Sequence, residues 1–479
     1  MKIEFVGQSA SNDTNIAANP SRLINLYREA INEGGRTRFV LRNWLGQDQK
    51  DDIGVNPVRA MGYGNSKEWL AGNSALYEIA SDGALTSRGA IADDANTVIG
   101  GNLSNVTITA GNNYYIYNGA VSQPATKTFT NVNDHCHVGG YTVITEKDGQ
   151  RFQWSTLGDA GALDALDFAT ANKVDDNIVR SMEFRGNLIL FCEESTEIWS
   201  VVAGATGPEA FTFIDVFNRG LKSFNLVSKV DDAVFFVGND GIAYIWAGGS
   251  PQPVSSSAVN SSIKNSTPTH CFFVEDEGHK FCVLRFSDRP AWAFDISMAE
   301  WNERAENAPN DPWRATHSVR NSTGWFVGNS DGAILQLART AVDISAEMYR
   351  TIVGYTIYNG DRFTVPKVEL LFRAGDHDLS AAQDFILTLG DGDFLDIDSG
   401  EGLLIDSVEA GERTGEITLY ESRDGGRTYG EGKTRSLGVG GDYEQRAVWR
   451  ARGQFRQYTP KWVITDPADI TIYADGVVG

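Results

Sequence analysis

A short unit that recurs at intervals of roughly forty residues restricts this chain more than any other feature. Its clearest copy, Val234–Gly249, reads VFFVGNDGIAYIWAGG. Val234–Val237 is an unbroken apolar run, as a strand covered on both faces requires. Asn239, Asp240 and Gly241 tolerate the positive φ of a tight hairpin turn. Ile242–Trp246 returns as a second strand rich in β-branched and aromatic residues. A lone hairpin cannot bury its apolar face, so the unit needs neighbours.

Turn-then-strand segments supply them at Leu76–Ile79, Tyr115–Tyr117, Phe152–Trp154, Glu197–Trp199, Ala243–Trp246, Trp292–Asp295 and Ile334–Leu337. Such repetition over about 290 residues predicts propeller blades. The expected fold class is all-β: a six- or seven-bladed β-propeller over residues 53–342, followed by a β-sandwich-like platform over residues 343–479. One or two β-sandwiches are the alternative for short strands with regular turns. Residues 1–52 do not fit the repeat and are expected to pack on the platform, with Gln47–Asp52 as a polar linker. Gly158–Asp176 reads as an insertion with one helical turn at Ala162–Leu166, and Ser255–Thr267 as a surface connection.

Composition narrows the function. The chain of 479 residues carries 50 Gly, 13 Pro and a formal charge of −22. Many glycine turns favour strands over helices. A strong acidic excess disfavours tight nonspecific DNA binding, which depends on Lys and Arg displacing counterions from phosphates. Cys136, Cys192, Cys271 and Cys282 are widely spaced without a CxxC, so buried reduced thiols are expected. No secretory leader and no run of about eighteen apolar residues is present, so synthesis in a cytoplasm and no membrane span are expected.

Four constellations could carry chemistry. Ser422-Arg423-Asp424-Gly425-Gly426-Arg427-Thr428-Tyr429 resembles the Asp-box of sialidases, in which Asp and hydroxyl side chains bond the turn backbone. That is a fold element rather than a catalytic one. Gly375–Glu412 holds eleven Asp or Glu and no Lys or Arg. Its Asp391, Asp393, Asp396 and Asp398 could ligate calcium, but their spacing is not that of an EF-hand, and a solvated loop is expected. His135-Cys136-His137 could ligate a metal, yet alternation puts the two histidines on one side and the thiol on the other. Tyr443–Arg456 alternates, with Tyr443, Ala447, Trp449, Ala451 and Phe455 on one face and Arg446, Arg450, Arg452 and Arg456 on the other. That basic face could meet phosphates, the chain's own acids or a neighbouring subunit. There is no P-loop, G-x-S-x-G or H-E-x-x-H, so no active site and no cofactor are expected.

Both ends of the chain resemble one family. Asn25-Leu26-Tyr27 with Glu29 comes first, then Arg59-Ala60-Met61 opening the first blade. Near the far end stand Asp424-Gly425-Gly426-x-Thr428-Tyr429, Leu437-Gly438, Gly441-Asp442-Tyr443, Arg446 and Trp449-Arg450. Their order and spacing resemble the packaged-DNA-stabilising, or tail nozzle, proteins of short-tailed bacteriophages. Arg28 stands where that family usually has Pro, and Asn43-Trp44-Leu45-Gly46 where a Thr-Pro-Gly-Leu turn is common. The resemblance implies a structural virion protein of the tail that is not an enzyme. It implies a ring of six copies extending the DNA channel below the portal and adaptor. Such a ring retains the genome, anchors fibres, spikes or a plug, and passes double-stranded DNA without sequence-specific binding. On that reading Asn25, Leu26, Tyr27, Glu29, Arg446, Arg450 and Arg452 are candidate subunit or adaptor contacts. Asp391, Asp393, Asp396 and Asp398 then form an acidic loop at the ring mouth. The competing functions are a propeller glycosidase or glycan-binding protein of a virion surface, and an interaction scaffold that meets neither DNA nor sugar.

Overall fold

The computed structural model describes residues 7–11, 19–33, 36–102, 104–124, 126–339, 342–344, 346–374, 415–437, 445–465 and 470–478. Each expected turn-then-strand segment is the third strand of a four-stranded antiparallel sheet. Among the described residues seven such sheets, or blades, are formed. They span residues 58–90, 98–122, 132–170, 178–217, 227–253 and 268–304, with 315–338 joined by Gly46–Asp52. Two of them are ends of larger sheets: the sixth continues into a second unit, and the seventh borrows its outer strand from the N-terminal region. The first strand of the first blade, Val58–Gly64, packs beside Val98–Gly101 on one side and Ala315–Asn321 on the other. The circle is therefore closed, and the sandwich alternative is set aside for this region.

The apolar runs explain the packing. Val234, Phe235, Phe236 and Val237 are fully buried, because a middle strand of a blade is covered by the blades on either side. Their core also holds Phe191 and Trp246, and Leu284 and Trp301 from the sixth blade. The inner strands of the first two blades meet through glycine: a Cβ on Gly101 would lie 2.6 Å from the Gly64 Cα.

Three local expectations fail. Gln47–Asp52 is not a linker but part of the strand Gly46–Asp52, paired antiparallel to Ala333–Ala338 from Ala338↔Gly46 to Ala333↔Asp52. It is polar because it is the outermost strand of its blade. Ala162–Leu166 is no helical turn: it lies in the outer strand Asp159–Thr170, whose register jumps from Ser155↔Leu163 to Gln153↔Phe168. Residues 164–167 bulge there, a common way to blunt an exposed edge. Ser255–Thr267 contains the α-helix Ser257–Asn265, whose first turn is capped by the Ser256 hydroxyl accepting from the Val259 N–H at 3.4 Å. Ala258, Val259 and Ile263 bury its apolar side in the core around Trp292 and Trp301.

The second unit is also all β. Ile357–Ala374 and Gln445–Ile464 pair antiparallel from Ile357↔Tyr458 to Phe372↔Gln445. Ile470–Val478 lies beyond the first of these, and the N-terminal strands Arg36–Asn43 and Leu26–Glu33 follow. The far end of Gln445–Ile464 pairs with both Arg350–Val353 and Glu416–Ser422. Leu26, Leu41, Phe372, Leu419, Trp449 and Trp462 share one core. Ring and second unit are joined along the parallel contact Ile24↔Glu303.

Closure depends on the turn before Ala333. Gly332 has φ +96°, and a Cβ there would lie 2.0 Å from the Gly54 carbonyl oxygen. Gly332→Ala is expected to lower stability by about 2–4 kcal/mol through left-handed strain and backbone clash, read as a lower urea midpoint. Gly119→Ala, also at positive φ but in open space, is expected to cost only the strain, about 1 kcal/mol.

Candidate functional site

Two places gather polar side chains that the apolar pattern does not explain. The first is the joint between ring and second unit. Arg304 ends the outer strand of the sixth blade, and Asp343 follows the seventh. Both side chains are fully buried and paired at 2.6 and 2.9 Å. Arg304 also donates to the Asn25 Oδ1 at 3.1 Å, the Leu45 carbonyl at 3.2 Å and the Ala305 carbonyl, and lies 5.0 Å from the Trp313 ring centre. Gln47 donates to Asp343 at 3.1 Å and accepts from the Trp313 Nε1 at 2.9 Å. Asn25 has φ 60°, which Asn tolerates better than most residues. In that conformation its Oδ1 also accepts from the Ala305 N–H at 2.9 Å, and its Nδ2 donates to the Tyr349 carbonyl at 2.8 Å.

The second place is the ring axis. His135 and His137 leave the same face of the third blade's inner strand, as alternation requires. The Thr107 hydroxyl lies 2.8 Å from the Nε2 of each. Their Nδ1 atoms meet Thr109 at 3.2 Å and Thr142 at 3.0 Å. Both rings are satisfied by hydroxyls, and burial holds both pKa values below the ordinary histidine range, His137 at about 4. Beside them Asp134 is fully buried; its Oδ2 accepts from the Ser181 N–H at 2.6 Å and hydroxyl at 3.1 Å, with the Arg180 Nε at 3.3 Å. Burial raises the Asp134 pKa and Arg180 works against it. A cavity of about 90 Å³ opens on the axis, lined by Arg180, His270, His317, Asn225, Thr97 and Cys271 among others. The His270 and His317 rings cross at 5.1 Å. Among the described residues no group of three or more His, Cys, Asp or Glu is arranged to hold a metal ion.

The residues singled out from sequence are distributed differently from expectation. Asn25, Leu26 and Tyr27 are buried inside this one chain and are not surface for a neighbour or adaptor. Leu26 sits in the second unit's core, and the Tyr27 hydroxyl donates to Asp276 at 2.9 Å. Glu29 pairs with Arg42 on the adjacent strand. Arg446 is exposed and 3.4 Å from Glu369, and Arg450 is exposed. Arg452 is not on the basic outer face: Ala451 at φ 54° and a register shift after Val365 flip the strand. Arg452 turns inward and forms an ion pair with Glu421. Asp391, Asp393, Asp396 and Asp398 lie outside the described residues.

The Asp-box turn is a closed fold element. Asp424 accepts from the Thr428 N–H at 2.9 Å and hydroxyl at 2.7 Å, the Ser422 hydroxyl at 2.7 Å and the Arg427 N–H at 3.1 Å. Those bonds, the Thr428 N–H first, hold its carboxyl far below the usual range. The turn lies in the second unit, so the sequence cue for a propeller glycosidase is absent from the propeller. Sequence reasoning missed Arg304, Asp343 and Arg180. The only available signal was that charged residues stand beside apolar runs, and it does not say which of them are buried.

A family model described as "Bacteriophage P22 Gp10, beta-propeller" matches residues 19–342. No curated protein matches the chain in sequence. Among solved structures it is similar to the extracellular domain of the BT4673 one component system from B. thetaiotaomicron, at 11% identity and TM-score 0.41, covering 69% of this chain. The chain spans 44% of that structure's length. It is also similar to a chain of the Mitotic Checkpoint Complex, at 12% identity and TM-score 0.44, covering 65% of this chain and 96% of that one. A third is YCF48 from Cyanidioschyzon merolae, at 11% identity and TM-score 0.42, covering 61% and 99%.

Removing one partner of a buried pair leaves an uncompensated charge. Asp343→Asn is expected to cost about 3–5 kcal/mol in chemical denaturation, and Arg304→Met with Asp343→Leu together considerably less than either alone.

Acid sensitivity follows from the buried histidines. Burial depresses the pKa values of His135, His137, His270 and His317, with His270 at about 3. The unfolded chain therefore takes up protons near pH 6.5 that the folded chain refuses. Stability should fall as pH drops from about 6.5 towards 4, by up to about 1.4 kcal/mol per unit for each histidine. His279 acts oppositely. Burial lowers its pKa, but the Asp295 carboxylate at 2.6 Å outweighs this and raises it. Its contribution is complete below about pH 6.5 and is lost as pH rises through its folded value. Urea midpoints between pH 7 and 5 should drop, and His137→Gln with His270→Gln should flatten the drop.

Proposed function

Because the chain belongs to the family of the bacteriophage P22 Gp10 β-propeller, a family of phage structural proteins, we propose that it is a tail nozzle subunit. Six copies form a ring below the portal and adaptor, extend the DNA channel, retain the packaged genome and offer attachment surfaces for fibres, spikes or a plug. The family match over the N-terminal strands and the whole propeller is the observation that carries this reading.

The physical chemistry of the chain is compatible. An axial cavity of about 90 Å³ has no room for a duplex whose major groove alone is about 12 Å wide. DNA would therefore pass between subunits and not through a propeller. A subunit of charge −22 makes a wall that does not hold phosphates, since grip depends on Lys and Arg replacing counterions. Repulsion across the channel decays over about 8–10 Å in physiological salt, so lining residues set it. Arg446 and Arg450, exposed on the second unit, remain the candidates for contact with a neighbouring copy or the adaptor.

Filled capsids bearing adaptor should keep their DNA on heating when this protein is added and lose it when it is omitted. Particles imaged after addition should show a six-fold ring at the portal. Equal DNA loss with and without the protein, or hydrolysis of a chromogenic glycoside by the isolated chain, would contradict the assignment.

A further inference from the structure

We propose that the axial cavity is a binding site for a small oxyanion, held by Arg180, His270 and His317. The proposal does not rest on the nozzle reading.

Three observations converge. The cavity measures about 90 Å³, whereas one water needs only about 10–15 Å³, so a solute of several heavy atoms fits. Arg180 lines it, fixed from behind by Asp134 on its Nε at 3.3 Å and by the Phe224 ring 4.4 Å from its Cζ. Arg180 donates no hydrogen bond among the described residues, and its Nε, in ion-pair range of Asp134, is buried without one. The His270 Nδ1 is buried without a hydrogen-bond partner. Buried polar groups are nearly always satisfied, and a guanidinium beside two neutral imidazole rings, each with one N–H, matches the oxygens of a sulfate, phosphate or carboxylate.

The surroundings select charge and size. Asp134 does not line the cavity; its carboxylate is turned to the Ser181 N–H and hydroxyl. Arg59 and Arg285 are near enough to His270 to depress its pKa, so the potential there is positive in an otherwise acidic chain. Asn225 donates to the Ala95 carbonyl at 3.1 Å, tying the loop before the fifth blade to the loop before the second. Asn225 is itself a lining residue, and the volume of about 90 Å³ limits the ligand to a small one. Arg180 belongs to the fourth blade, His270 to the sixth and His317 to the seventh. A bound oxyanion would therefore link three blades across the axis and stabilise the ring by binding only the folded state.

The test uses the full chain with sodium sulfate, against sodium chloride at matched ionic strength. Calorimetry should show one site per chain, and the thermal midpoint should rise and saturate in the low millimolar range. Saturation matters because concentrated sulfate stabilises proteins generally by exclusion. His270→Phe, which removes both ring nitrogens while keeping the ring, should weaken sulfate at least tenfold. Arg180→Gln leaves Asp134 buried and unpaired and can unfold the blade. Val98→Phe, which fills the cavity from its wall without touching a polar group, is therefore the second variant and should abolish binding. Sodium acetate distinguishes sources: comparable affinity identifies a carboxylate ligand, and a clear sulfate preference a tetrahedral one. A sulfate effect that never saturates, or affinity unchanged in both His270→Phe and Val98→Phe, overturns the proposal.

Discussion

The buried ion pair between Arg304 and Asp343 is the contact through which the separate parts of this chain become one arrangement. Taking both charges out of water costs several kcal/mol per ion. The cost is offset because surrounding groups satisfy both terminal nitrogens of Arg304, although its Nε stays without a hydrogen bond. Asn25 and Leu45 come from the N-terminal region, Gln47 from the strand that closes the seventh blade, and Trp313 from that blade's approach. Displacing any of these leaves a charge or amide unpaired in the core. The pair therefore adds little by attraction alone, and it specifies one way for ring closure and second unit to coexist.

Closure by a strand from the opposite end of the sequence has the same logic. A ring of blades has no exposed inner edge only when its last blade is complete. Here the completing strand Gly46–Asp52 is polar and weakly β-forming, so it would not hold by propensity. It is held by its ladder to Ala333–Ala338 and by the Gln47 side chain between Asp343 and Trp313. The same N-terminal region runs into the second unit, where Leu26 and Leu41 enter its core. Ring and second unit are thus coupled through the N-terminal stretch.

The ring axis shows how a protein of high negative charge can carry a local positive site. Burial keeps the histidines neutral, while Arg180 remains fixed beside Asp134. Net charge governs how the molecule meets distant polyanions, and the arrangement within a few ångströms governs what a cavity accepts.

Periodicity made the propeller legible, because every blade needs an apolar third strand and a turn before it, and these repeat wherever the blade does. All seven segments read from the sequence lie on third strands. The buried Val234–Val237 run and the self-contained Ser422–Tyr429 turn were likewise legible, since both depend on neighbours within a few residues. What sequence could not disclose depends on partners hundreds of residues away. Gln47–Asp52 reads as a linker until Ala333–Ala338 lies beside it. Asn25 and Tyr27 read as contact surface until Arg304 and Asp276 cover them. Arg452 reads as exposed until one residue at positive φ reverses the strand. Local pattern determined that the chain would be a ring of small sheets. Only tertiary structure decided how that ring closes and which charges it buries, because ladder pairing and desolvation are set by distant residues brought together.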